Sequence, residues 1–295
     1  MRNMKQSQEP RAVRAIEADD LATVRLLLAE GFPERSQTFW DQAFQRLHRL
    51  GGNAAAGVPL GYFLLDRDVP VGVMLTPASL RRRAGGIHTV INLSSWYVRP
   101  EQRWRAGLMQ RAVLNAHDAL FTDLSATQEV RRMLEAFGFT QLNAGVTFHA
   151  LALTALEPVR KAVVHDLDAS SGAIPADTRD LLEAHRDIGC LAAVLEADGQ
   201  AHALLLKKRW PKGLPGARLL YCSSNAALAR HLPALSRYLM RRGMLLLETD
   251  TDALPGRRGQ LDRPIGLKFA KALNGYGLDP DTTDYAGSEL AILDL

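Results

Sequence analysis

Residues 94–113 read SSWYVRPEQRWRAGLMQRAV. The run SSWYV has strand composition, Pro100 interrupts it, and apolar residues at helical spacing follow from Leu108. Arg103 and Arg105 stand where that helix begins, at the end whose dipole repels cations. Free backbone amides at a helix start bind phosphate, so arginines added there point to an anionic ligand. The plainer alternative is a solvated turn with surface arginines.

Upstream, residues 11–30 place Leu21, Val24, Leu27 and Leu28 on one helical face, and residues 39–50 predict a second helix. GGNAAAG reads as a flexible link. Three strands are then expected, at Gly61–Leu65, Val71–Leu75 and His88–Val98, joined by the turn-like DRDVP and RRRAGG as an antiparallel meander. After Pro100 the helix should turn Leu108, Met109, Ala112, Val113, Ala116 and Leu120 inward. A short strand near Ala119–Leu124 follows, then a helix closed by Gly138 and a strand over Val146–Leu153.

The second part of the chain repeats this order. Strands are expected at Gly189–Leu195, Ala201–Leu206 and ARLLYCSS, then a helix over ALARHLPALSRYLMRRG and the strand MLLLETD. About 33 residues separate Gly61 from Ser94 and Gly189 from Cys222 alike. A tandem arrangement with halves 1–155 and 156–295 is the resulting expectation. The C-terminal DYAGSELAILDL reads as a closing strand with Glu289 among apolar neighbours.

Composition narrows the function classes. The 295 residues are 47% hydrophobic and 23% charged, enough to bury substantial cores. A net charge of +4 and a pI near 9.2 are too mildly basic to argue for nucleic acid, although KKRWPK at 207–212 joins cations to an aromatic. No apolar stretch is long enough to span a bilayer, and the N-terminus lacks the apolar region of a secretory signal. Cys190 and Cys222 fit no redox or metal spacing and read as buried thiols, so a cytoplasmic location and no metal are expected.

The element order, with a helix ending Gly138-Phe139, resembles the GNAT superfamily of acyl-CoA-dependent N-acyltransferases. Its pyrophosphate motif V-x-P-x-x-R-x-x-G-x-G/A matches Val98, Pro100 and Arg103, with Ala106 and Leu108 at the two glycine places and Gly107 between them. A second motif, N-x-x-A-x-x-x-Y-x-x-x-G-F, matches only at its end, because Thr127, Val130 and Leu134 replace Asn, Ala and the tyrosine that protonates the leaving thiolate. The resemblance implies an α+β fold of two tandem domains, each a mostly antiparallel twisted sheet flanked by helices. It implies acetyl-CoA or another acyl-CoA as co-substrate, held by Trp96, Tyr97, Val98, Arg103, Trp104, Arg105, Ala106, Gly107, Leu108 and Thr127. The acceptor would be an amine of a small molecule or amino sugar, handled by a monomer or homodimer. Candidates for proton transfer are Tyr97, Asp123 at a strand end, and Glu248 at the corresponding place in the second half, with packing, capping and a solvated strand end as the alternatives. A non-catalytic scaffold is the competing reading, favoured by Leu108 and Leu134.

Overall fold

The computed structural model describes residues 12–83, 86–159, 161–170, 172–254, 259–272, 279 and 281–293. The first half comprises β1 (Val13–Ala15), α1 (Leu21–Gly31), α2 (Gln37–Leu50), α3 (Gly52–Ala56), β2 (Gly61–Asp66) and β3 (Val69–Leu75). It continues through β4 (Ala78–Arg83), β5 (Gly86–Asn92), β6 (Ser94–Val98), a 3-10 turn (Pro100–Arg105) and α4 (Ala106–Ala116). β7 (Leu120–Asp123), α5 (Gln128–Ala136), β8 (Thr140–Gln141), β9 (Val146–Ala150) and α6 (Leu151–Ala155) complete it.

The second half begins with β10 (Ala162–Asp166), α7 (Ala176–Asp187), β11 (Leu191–Ala197), β12 (Gln200–Arg209) and β13 (Gly216–Cys222). α8 (Asn225–Met240), β14 (Leu246–Asp250), β15 (Gln260–Arg263), β16 (Phe269–Ala272), β17 (Thr283–Asp284) and α9 (Glu289–Ile292) follow. The architecture is the α+β arrangement expected, mixed sheets flanked by helices. β1-β2-β3-β6 form one sheet and β4-β5-β7-β16-β8 a second. The third has the order β10-β11-β12-β13-β14-β9-β15, with β17 beside β13.

The expected meander is more bent than its sequence implied. β5 runs parallel to β7 through Asn92↔Thr122, and β6 then leaves to pair with β3. The departure is marked by a register shift opposite Val73–Leu75 and by Ser95 at φ +48°, a conformation that costs energy in a non-glycine residue. Two faces follow from the bulge. Trp96 and Val98 pack with Met109, Val113 and Phe121, whereas Tyr97 packs with Val24, Leu27 and Leu28 of α1. Gly31 makes that second contact possible, since a Cβ there would overlap the Tyr97 ring.

Each half lends a strand to the other's sheets. β9 lies between β14 and β15, pairing Phe148 with Glu248 and with Leu261. In return β16 lies between β7 and β8, with Phe269 opposite both Asp123 and Gln141.

Several sequence expectations are corrected. GGNAAAG is not a simple link but contains α3, capped at both ends by glycines with positive φ. Leu108 and Ala116 face outward because the buried face of α4 runs through Met109, Gln110, Val113 and Leu114, and Leu120 lies beyond the helix in β7. The strand from Val146 stops at Ala150. The C-terminal stretch is not a closing strand: it is β17, a tight crossing, and α9 with Ser288 as its cap.

Because β7 needs β16 and β14 needs β9, a polypeptide ending at residue 155 loses sheet pairing on both sides. It should show no cooperative thermal transition by calorimetry, whereas the full chain unfolds in a single one.

Candidate active site in the splayed strands

Where β6 diverges from β7, a cluster of polar side chains is buried. Asn92, Ser94 and Asp123 are 2%, 4% and 7% exposed, and Glu289 of α9, from the far end of the chain, is 1% exposed. Ser94 Oγ donates to Glu289 Oε2 at 2.6 Å, and the Glu289 amide donates to Asn92 Oδ1 at 2.8 Å. Glu289 Oε1 makes no well-formed hydrogen bond. Asp123 Oδ1 accepts from the Ser125 amide at 3.3 Å. Burial, and then the charge of Glu289, push the Asp123 carboxyl up to about 8, and burial also raises Glu289. No sequence signal marked Glu289 beyond one charge in an apolar run.

The segment that delivers Glu289 also fills the equivalent splay of the second half. β13 runs parallel to β14 from Gly216↔Leu246 to Arg218↔Glu248, and beyond it Tyr221 and Cys222 pair instead with Asp284 and Thr283 of β17. The start of α8, where the fold offers amides to an anion, is taken by Asp281. Its Oδ1 accepts from Ala226 N at 2.7 Å, its Oδ2 from Ser224 Oγ at 2.8 Å, and its carbonyl from Asn225 N at 2.6 Å. The chain's own strand and carboxylate thus fill this gap.

The segment is tied down along its length. Arg81 pairs with Asp284 and donates to the Ala286 carbonyl. Gly287 N donates to His185 Nε2 at 2.7 Å while His185 Nδ1 donates to Leu181 O at 2.8 Å, which fixes a neutral imidazole whose pKa burial lowers to about 4. Lys207 donates to Ala291 O at 3.1 Å and Arg46 to Ile292 O at 2.9 Å. Thus neither RRR nor KKRW is a free cationic patch: Arg81 and Lys207 are buried, and Arg209 pairs with Glu248.

The residues expected to grip CoA divide into two groups. Arg105 donates to Leu65 O at 2.7 Å and approaches Asp66 at 3.5 Å, tying the turn to β2. The amides of Gln102 and Ala106 are used within the turn, bonding Arg99 O and Arg103 O. Arg103 and Trp104 are exposed, and Arg103 has no hydrogen bond or ion pair with a described residue. Leu108 is 46% exposed and turned outward, and a Cβ on Gly107 would meet only the Phe137 ring at 3.9 Å, so the turn is not obstructed. On the β6–α4 side, Trp96 Nε1 and both polar atoms of Gln110 are buried without hydrogen-bond partners. Ala106 is half-buried, Val98 is core, and Thr127 is exposed just ahead of α5.

The proton-transfer candidates are not gathered in one place. Asp123 lies at the splay. Tyr97 faces α1 instead and donates to Glu30 Oε1 at 2.9 Å beside the Arg99–Glu30 ion pair. Glu248 is buried in the third sheet between Arg209 and Arg218, at 2.9 and 2.7 Å. Leu134 is fully buried and supplies no acid.

Two cavities between the halves meet near the splay, of about 680 and 290 Å³, sharing Ser79, Asp279, Thr282, Asp284 and Gly287. The smaller reaches Asn92 and Thr122 and carries Asp250, Asp252 and Asp279 on its walls. Asp250 is engaged by Lys268, Tyr285 and Asn143. Among the described residues no group of three or more His, Cys, Asp or Glu could hold a metal, and no helix is long and apolar enough to cross a membrane.

No family model matches the sequence, and neither does any curated protein. Solved structures do match. A GCN5-related N-acetyltransferase from Anabaena variabilis has a TM-score of 0.56 at 9% identity, over 89% of this chain and 72% of its own. One from Kribbella flavida has a TM-score of 0.54 at 13% identity, over 89% and 71%. A glucosamine N-acetyltransferase region of a fungal multi-domain β-N-acetylglucosaminidase has a TM-score of 0.52 at 11% identity, over 88% of this chain and 38% of that one. The chain therefore has the fold of the GCN5-related N-acetyltransferases, the GNAT superfamily.

The pH dependence of stability follows from the two shifted groups. A raised Asp123 contributes stability that is lost as pH climbs from 3.8 toward about 8, and a lowered His185 contributes stability that is lost as pH falls from 6.5 toward about 4. The slopes oppose each other in acid, and above the ordinary histidine value His185 no longer contributes while Asp123 still does. Stability should drop by about 1 kcal/mol between neutral and mildly alkaline pH, and Asp123→Asn should remove that drop in urea titrations.

Proposed function

We propose that the protein moves an acetyl or short acyl group from CoA to an amine of a small molecule or amino sugar, at the splay of β6 and β7. The observation that carries this reading is the asymmetry of the two splays. The first presents two buried carboxyls and an unobstructed turn, while β17 and Asp281 fill the second. The halves, taken as 1–155 and 156–295, are read as a tandem duplication in which the second supplies structure and one wall of the acceptor cleft. CoA would supply the activated thioester. Trp96 and Gln110 would meet its pantetheine arm, and Arg103 its phosphates. Backbone amides near Trp96, Tyr97 and Val98, where β6 turns away, would serve the thioester carbonyl oxygen.

Acidic walls in the inter-half cavities suit an amine, and the fungal neighbour's reaction on glucosamine favours amino sugars among amines. Both cysteines are buried thiols outside any disulfide, in keeping with a cytoplasmic protein, acting as a monomer or homodimer. The dispersal of the KKRW cations into ion pairs and core counts against a nucleic-acid partner.

A second reading, a ligand-binding scaffold without turnover, is favoured by Leu134 and by the amides consumed within the 3-10 turn. Titration calorimetry with acetyl-CoA, paired with thiol release over a panel of amino sugars and diamines, separates the two. Acyl transfer is expected, with Arg103→Ala weakening acetyl-CoA about tenfold. Heat without thiol release would leave the scaffold, and no heat would remove both.

A further inference from the structure

We propose that Glu289, carried into the first half's splay by the C-terminal segment, and Asp123 on β7 are a proton-transfer pair, with Asp123 holding the proton and Glu289 acting as the free base. The proposal deepens the acyl-transfer reading and rests on it.

Three observations support the assignment. Both carboxyls are at least nine-tenths buried, and neither forms an ion pair with a described residue. The nearby cations are committed elsewhere: Arg131 on α5 to Ala126 O at 3.1 Å, Arg46 and Lys207 to the carbonyls of α9. His185 is neutral at Gly287. Two like charges so placed cannot both ionise at modest cost, so the pair keeps one proton. The hydrogen bonds decide where it resides. Ser94 donates to Glu289 Oε2 at 2.6 Å and stabilises an anion there, with the Ser125 hydroxyl and the Leu124 amide adding to it, whereas Asp123 is reached only by the amides of Ser125, at 3.3 Å, and Ala126.

This division supplies what acyl transfer needs in a chain whose α5 carries Leu134 instead of an acid. A neutral amine attacks the thioester carbon, the C–N bond forms and the C–S bond breaks. The nitrogen loses one proton to Glu289, and the departing thiolate gains the proton of Asp123. Transfer of the proton from Glu289 to Asp123 then restores the starting state, with no net proton exchanged.

Carbon-13 carboxyl NMR of the free protein across pH tests the pair without CoA. Wild type should show one protonated buried carboxyl at neutral pH, absent from Asp123→Asn. Glu289→Gln, which preserves shape and the Ser94 contact, should lower the Asp123 midpoint by about one pH unit or more. Ser94→Ala should move the proton toward Glu289, giving a second readout should Glu289→Gln fold poorly by circular dichroism. Two ionised carboxyls at neutral pH, or an Asp123 midpoint indifferent to Glu289→Gln, would overturn the proposal. Wild type that titrates as expected yet releases no thiol would instead overturn the acyl-transfer reading and the pair's role with it. Ionised carboxyls in an active enzyme would sink the pair alone.

Discussion

One stretch of chain, residues 281–293, threads both splayed strand pairs, and the arrangement of the two halves depends on it. Asp281 neutralises the start of α8, β17 completes the gap beside β13, and Glu289 enters the gap beside β6. Hydrogen bonds from α2, β4, β5, β12 and α7 hold it, so it is tied to every layer around the inter-half cleft. A splay leaves strand edges and backbone groups unpaired, which is costly inside a protein. The second half meets that cost with its own main chain. The first meets it with a side-chain carboxyl, which leaves chemistry available.

The strand exchange reinforces this asymmetry. β16 lies directly against β7, so the strand bearing Asp123 is braced by the second half, while β9 braces β14 from the first. Asp123 is consequently held on a central strand of its sheet rather than on an edge. Burial there raises its carboxyl into the neutral range, where a group can both donate and accept a proton. Loss of the Glu289 carboxyl would remove a like charge and return Asp123 toward ordinary acidity.

Much of the element order was legible because it rests on local periodicity: β2, β3, α4, β7, α8 and β14 lie close to where apolar spacing places them. The strand exchange was not, since β9 and β16 carry no local mark of which sheet they join. Leu108 was assigned inward because apolar residues of α4 spread beyond one face, and the face that is buried also takes in the polar Gln110. Of the site, Asp123 was recognisable as a carboxylate at a strand end. Tyr97 was not readable as facing α1, because alternation along β6 separates it from Trp96 and Val98 without saying which element covers each face. Glu289 was hidden for a different reason: it borders an apolar run that reads as a strand, and its true partners, Ser94 and Asn92, are nearly two hundred positions away.

The central claim, that the first splay is the working one and the second is closed by the chain itself, is tested most directly by a crystal structure of the protein with a non-hydrolysable acetyl-CoA analogue. The account predicts the thioether carbonyl between β6 and β7 beside Glu289, the pantetheine arm against Trp96 and Gln110, and Asp281 still on α8. An analogue bound at the start of α8 with Asp281 displaced, or no analogue in either splay at saturating concentration, would contradict it.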